Sequence, residues 1–147
     1  MNDIEIISGS DAIAQLGPLW AEAAAHAGLG AFETFDLMRS AAALAEQRGS
    51  TPHVVVVREG GRAVSLLALR CKRLLGARTA VPLVQPLAQY ADVIGKALSP
   101  ERLSEICRRL SQQRIDLLLL RKVRADSGLH AAFAAHGLSQ RAEERAL

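Results

Sequence analysis

The chain has 147 residues, 50% of them hydrophobic and 22% charged, with a formal net charge of +3. That suits one ordinary globular domain and excludes an extended disordered chain, which needs low hydrophobicity and high net charge. Aliphatic runs such as Leu117 to Leu120 are far short of the ~20 residues of a membrane-spanning helix.

The start, Met1-Asn2-Asp3-Ile4-Glu5, is acidic and has no basic region, so it does not read as a secretory signal. Two cysteines, Cys71 and Cys107, are too few for a disulfide scaffold, and a reduced, cytoplasmic protein is the expectation. Ile4 to Ile7 reads as a first strand, with Ser10 as the cap of a following helix. Ile13, Leu16, Trp20, Ala23 and Ala27 then recur at helical spacing, with Pro18 expected to force a kink or a restart and Gly28 and Gly30 ending the run. A second helix is predicted from about Asp36 to Arg48, capped by Thr34 or Asp36, with Leu37, Ala41, Leu44 and Ala45 inward and Gly49 as its left-handed terminator.

The period then changes. His53 to Arg58 is a buried strand, Glu59-Gly60-Gly61-Arg62 a tight hairpin, and Ala63 to about Leu74 the return strand, whose end alternates Arg70, Cys71, Lys72 and Arg73 as it leaves the core. Gly76-Ala77 turns the chain into a third antiparallel strand, Thr79 to Val84. Pro82 and Pro86 argue against a continuous central strand beyond it. Ser99-Pro100-Glu101 is a strong helix start, followed by an apolar face of Leu103, Ile106, Cys107 and Leu110. Asp116 to Arg121 reads as a buried strand, parallel to a neighbour because a helix precedes it. A short helix capped by Asp126 or Ser127 and a possible last strand after Gly137 complete a mixed α/β sheet.

Motifs for familiar chemistry are mostly missing. There is no C-x-x-C, no H-E-x-x-H and no G-x-S-x-G, and His130 and His136 fall on different sides of a helix, so no metal site is expected. His26 and His53 read as structural or solvent-facing. Alanine occurs 26 times and arginine supplies 15 of the 18 basic residues, a bias that fits a GC-rich genome better than a function. Residues 1–50 carry two basic and seven acidic side chains and residues 51–147 sixteen and eight. That split reads first as two sides of a solvated domain. The run Arg70, Lys72, Arg73, Arg78 reads likewise as a solvated hairpin end before a surface for a phosphate-bearing ligand. Few aromatics and no recognition-helix motif argue against nucleic-acid binding. The densest polar cluster in apolar surroundings is Gln85, Gln89, Tyr90 and Asp92. These emerge from a proline-broken strand end, and are candidates for substrate contact or for satisfying irregular backbone.

The order of elements resembles the GNAT acyltransferase fold. Leu19-Trp20, the hairpin VVVVREGGRAVSLLAL at 54–69, PLVQPLAQYADV at 82–93 and DLLLLRKVRADSGL at 116–129 are similar to the N-terminal half of FemAB-like, CelD-type acetyltransferases, a bacterial family associated with cellulose and envelope polysaccharide production. The resemblance implies a single GNAT-like module over 1–147, the N-terminal one of a two-module protein, ending where such a fold is still laying down its last strands. It implies acetyl-CoA or another acyl-CoA as donor for the full-length enzyme, held where two strands splay and at a glycine-containing loop leading into a helix. The corresponding loop here, Val93 to Ser99, has one glycine, and Pro100 removes a first-turn donor, so this module is expected to bind no cofactor. Its catalytic residues stay unassigned. The resemblance leaves Gln85, Gln89, Tyr90 and Asp92 as one wall of an acceptor cleft, with a second GNAT-like module or another copy of the chain as partner and a small-molecule acceptor. The alternatives are a stand-alone, non-enzymatic interaction module and, less well supported by the loop before Pro100, a small active acetyltransferase.

Overall fold

The computed structural model describes residues 3–25, 34–84 and 93–119. In chain order its elements are β1 (Ile4–Ser8), α1 (Ser10–Ile13), α2 (Gly17–Ala24), α3 (Phe35–Gln47), β2 (Thr51–Glu59), β3 (Arg62–Leu74), β4 (Ala77–Pro82), β5 (Ile94–Gly95), α4 (Pro100–Gln112) and β6 (Leu117–Leu118). The sheet runs β1-β2-β3-β4-β6, antiparallel except for β6, which lies parallel to β4, while β5 pairs with β3.

Both faces of the sheet are covered, which is why β2 can carry four consecutive valines, Val54 to Val57, all buried. On one face Ile4, Val55, Val57, Leu67, Leu69 and Ala80 pack against Leu103, Ile106 and Leu110 of α4 and Ile115 after it. On the other, Val54, Val56, Leu66 and Ile94 meet Ile13 of α1, Leu16, Trp20 and Ala23 around α2, and Met38, Ala42 and Ala45 of α3. Full burial of each of Leu103, Ile106 and Leu110 contributes ~1.5–3 kcal/mol, which is what fastens the otherwise polar α4 to the sheet.

The helix restart at Pro18 is present: α1 ends at Ile13, and Pro18 stands in the first turn of α2, which begins at Gly17. Ser10 is not a cap, however. It is the first residue of α1, after Gly9 at φ +91°, and the carboxylate of Glu46 in α3 accepts both its backbone N–H, at 2.5 Å, and its hydroxyl, at 2.6 Å. A carboxylate from 36 residues away does the capping that proximity had assigned to serine. In α3, Thr34 caps by accepting from the Leu37 N–H, and Gly49 terminates at φ +81°. Its buried residues are Met38, Ala42 and Ala45, of which Ala45 was expected inward and Met38 and Ala42 were not. Leu37 and Ala41 are partly buried at its margin, and Leu44 is exposed. β6 is likewise less buried than expected, with Leu117 on the surface. Ala27, Gly28, Gly30 and everything assigned after Leu119 lie outside the described residues.

Candidate functional site

The expected break after Pro82 is real, but β5 was not foreseen. β4 occupies the lower half of one edge of β3, from Leu74↔Ala77 to Leu69↔Pro82, and Leu83 donates its N–H to Ala68 O at 3.0 Å. The upper half of the same edge is taken by β5, through Leu66↔Ile94 and Ser65↔Gly95, and Lys96 donates to Val64 O at 2.9 Å. The chain thus leaves the edge at Leu83 and returns beside the same point at Ile94. The flanking residues Leu83, Val84, Val93 and Ile94 are all buried. Gln85, Gln89, Tyr90 and Asp92 belong to the segment 85–92, which lies outside the described residues.

On the outer edge of β4 the parallel ladder reaches Leu119, whose N–H bonds Ala80 O at 2.9 Å. The next rung of a parallel ladder would be donated by residue 82, and Pro82 has no N–H. The β4–β6 pairing loses a rung where the chain also begins its departure from β3.

Re-entry depends on Gly95. Its φ is +94°, and a Cβ there would lie 2.4 Å from Val64 O and 2.6 Å from Ala23 O, so the backbone of β5 is wedged between β3 and the end of α2. A register shift sits opposite, between Val57 and Arg58 of β2, where Val64 is the extra residue of β3. The buried Ser65 hydroxyl donates to Lys96 O at 2.5 Å, and Lys96 Nζ meets the Glu59 carboxylate at 3.1 Å. Leu98 is buried, and Ser99 Oγ accepts from the Arg102 N–H at 3.1 Å to cap α4.

These contacts determine how the turn into α4 treats an anion. Pro100 has no N–H, the Arg102 N–H is given to Ser99 Oγ and that of Leu103 to Ser99 O. Of that first turn the Glu101 N–H remains, and the Glu101 carboxylate stands at the same positive end of the helix dipole. The single glycine is committed to packing between two carbonyls. This arrangement does not fit a diphosphate.

A polar pair on the α4 face had no signal beyond its residue types. His53 is 4% exposed, its Nδ1 lies 2.7 Å from Ser8 Oγ on the neighbouring strand, and its Nε2 is buried without a hydrogen-bond partner. Burial, helped by the positive charge of Arg78, holds its imidazole below the ordinary histidine value. With Leu69 between it and Pro82 on the same rung, His53 is a core residue. Cys71 is buried, and burial pushes the half-buried Cys107 thiol up, so neither is placed as a nucleophile. Among the described residues no group of His, Cys, Asp and Glu side chains can hold a metal ion, and no helix is long and apolar enough to cross a membrane.

No family model and no curated protein sequence matches the chain. Among solved structures it is similar to a ribosomal-protein-alanine N-acetyltransferase from Brucella melitensis biovar Abortus 2308, with a TM-score of 0.55 and 13% identity over 99% of this chain and 96% of that one. The likeness shows the fold: a mixed α/β sheet flanked by helices, of the GNAT acyltransferase type.

Proposed function

We propose that this chain is a cofactor-degenerate module of a FemAB-like N-acyltransferase, shaping the cleft for the acceptor while a second module holds the acyl-CoA. The observation that carries this reading is the contrast between two neighbouring features. The chain leaves and re-enters the β3 edge at buried, hydrogen-bonded points, whereas the N-terminus of α4 is stopped by Ser99, Pro100 and Glu101. A rigid frame around 85–92 supports recognition by Gln85, Gln89, Tyr90 and Asp92. A phenol and a carboxylate in that segment suit an amine or sugar hydroxyl acceptor.

Titration calorimetry with acetyl-CoA tests the reading directly. The isolated chain is expected to give no saturable heat up to millimolar ligand, and a micromolar Kd would overturn the cofactor-degenerate assignment. Within a complete two-module enzyme, Asp92→Asn and Tyr90→Phe are expected to raise KM for the acceptor while leaving that for acyl-CoA unchanged.

A stand-alone interaction module is the second reading. The solved neighbour, 96% of whose chain is matched by this one, is consistent with one module of this length standing without a second, and leaves open whether such a module is catalytic. Light scattering separates the two: a monodisperse dimer supports the interaction module, and an open reading frame of a further module's length beyond codon 147 supports the enzyme.

A further inference from the structure

The two hairpins of the sheet end in opposite ways. At the β2–β3 tip the turn residues are Gly60 and Gly61, at φ +59° and +81°, the cheapest choice for such a turn. At the β3–β4 tip they are Leu75 and Gly76, at φ +52° and +84°. Leucine is poorly suited to the left-handed region, and nothing is gained inside the fold by having it there: Leu75 is 102% exposed, beside Leu74 at 39%. This tip also overhangs the sheet. Thr51, the first residue of β2, pairs with Cys71, so Lys72, Arg73 and Leu74 continue past β2 and pair with Thr79, Arg78 and Ala77 of β4.

The overhang is unfavourable electrostatically as well. Arg73 stands directly opposite Arg78, a like-charge cross-strand pair. Neither Lys72 nor Arg73 has an ion-pair partner among the described residues. Arg78 donates through Nη1 to Gln113 O at 3.2 Å, a neutral carbonyl, and its guanidinium forms no ion pair among the described residues. The nearby carboxylate, Asp116, accepts from the Arg78 backbone N–H, and the exposed Arg114 adds a further cation at the same end. The tip therefore places two aliphatic side chains at its apex and a ring of cations behind them.

We propose that the β3–β4 hairpin is a docking element for an anionic phospholipid surface, with Leu74 and Leu75 entering the interface and Lys72, Arg73 and Arg78 meeting lipid phosphates. The combination matches the two weak signals that together hold a protein on a bilayer, apolar insertion and a basic patch. A purely polyanionic partner such as a nucleic acid accounts for the cations and gives the exposed leucines no role. The proposal is independent of the acceptor-cleft reading, because Leu74 lies six strand residues, roughly 20 Å, from Ala68, where the chain departs the β3 edge.

The test is flotation of the full chain with vesicles of phosphatidylcholine alone and of phosphatidylcholine with 30% phosphatidylglycerol, in low and high salt. Partitioning is expected to be about tenfold stronger with the anionic lipid and to fall in high salt. Two variants separate docking from folding. Leu75→Asn puts a residue that tolerates the left-handed region into the turn, and Arg73→Glu turns the like-charge pair into an ion pair with Arg78. Both are expected to keep or raise the melting temperature while lowering vesicle binding about fivefold and tenfold respectively. Equal partition into both vesicle types, or unchanged binding by either variant, would overturn the proposal. So would binding to a single-stranded oligonucleotide that displaces the vesicles and ignores Leu75→Asn, since that outcome assigns the patch to nucleic acid.

Discussion

Gly95→Ala tests how the interrupted strand re-enters the sheet. Two separate costs are expected. The first is conformational: at φ +94° an alanine occupies a region that costs an L-residue ~1–2 kcal/mol. The second is steric. The new Cβ would stand 2.4 Å from Val64 O and 2.6 Å from Ala23 O, and real Cβ atoms essentially never come under 3.0 Å. Both obstacles are backbone, so β3 or α2 has to move, and overpacking of that kind costs ~1–3 kcal/mol. Gly49→Ala is the matched control: its φ is +81°, with nothing within 4 Å of the added atom, so it carries the conformational cost alone. Guanidinium denaturation of the three proteins measures the difference. Gly95→Ala is expected to be the less stable variant by ~1–3 kcal/mol, or roughly 2–12 °C in Tm for a domain of this size. Equal destabilisation of the two variants would refute the close approach. If Gly95→Ala also removed a measurable affinity for acetyl-CoA, the glycine would belong to a ligand loop instead of a packing contact.

Three further outcomes follow from the cited geometry. Burial, helped by Arg78, lowers the His53 pKa in the folded protein, while in the unfolded chain it protonates near its ordinary value of 6.5. The stability it contributes is thus complete above that pH and is lost as pH falls below it, so His53→Leu should flatten the fall in denaturation midpoint between pH 7.5 and 5. Glu46 is held below its ordinary value of 4.5 by its hydrogen bonds to Ser10, so its contribution is complete above pH 4.5 and lost on acidification through that region. Glu46→Gln should lower Tm at pH 7 and bring it closer to wild type at pH 3.5. Ser99→Ala removes the acceptor for the Arg102 N–H and should cost ~1 kcal/mol by denaturant titration.

Much of this fold was legible because local chemistry and tertiary structure agree. Gly60-Gly61 made the hairpin, Pro18 broke the first helix, and Ser99-Pro100 started α4, each through a preference that acts within a few residues. The failures have the opposite character. Ser10 has the right side chain for a cap, but a carboxylate from α3 accepts both its N–H and its hydroxyl, and no local pattern encodes that partner. The inward face of α3 was only partly legible because alanines at Ala41, Ala42, Ala43 and Ala45 leave its polarity nearly symmetric: Ala45 is buried as expected, while tertiary contact chose Met38 and Ala42 over Leu44. β5 was missed because two residues carry no periodicity, and Gly95 looked like part of a loop until the carbonyls beside it were located. The candidate site was legible only as composition, four polar side chains between two prolines and a helix start. The frame that holds that segment rests on pairings between distant parts of the chain.

That frame makes a final, stringent expectation about residues 85–92. Leu83 bonds to Ala68 and Ile94 pairs with Leu66, two positions along one strand that are ~6.6 Å apart. The ends of the excursion are therefore close, and a linker of three or four Gly and Ser residues can join Val84 to Val93 without disturbing either rung. Shortening the loop about twofold changes its closure cost by only ~0.6 kcal/mol, in the stabilising direction. If Gln85, Gln89, Tyr90 and Asp92 serve recognition, the shortened protein keeps its denaturation midpoint to within that margin and loses the acceptor. If they satisfy backbone groups inside the sheet instead, the same replacement uncovers buried donors and acceptors at ~1–3 kcal/mol each and the midpoint falls steeply. One denaturation curve thus separates a binding segment from a structural plug, before any acceptor is identified.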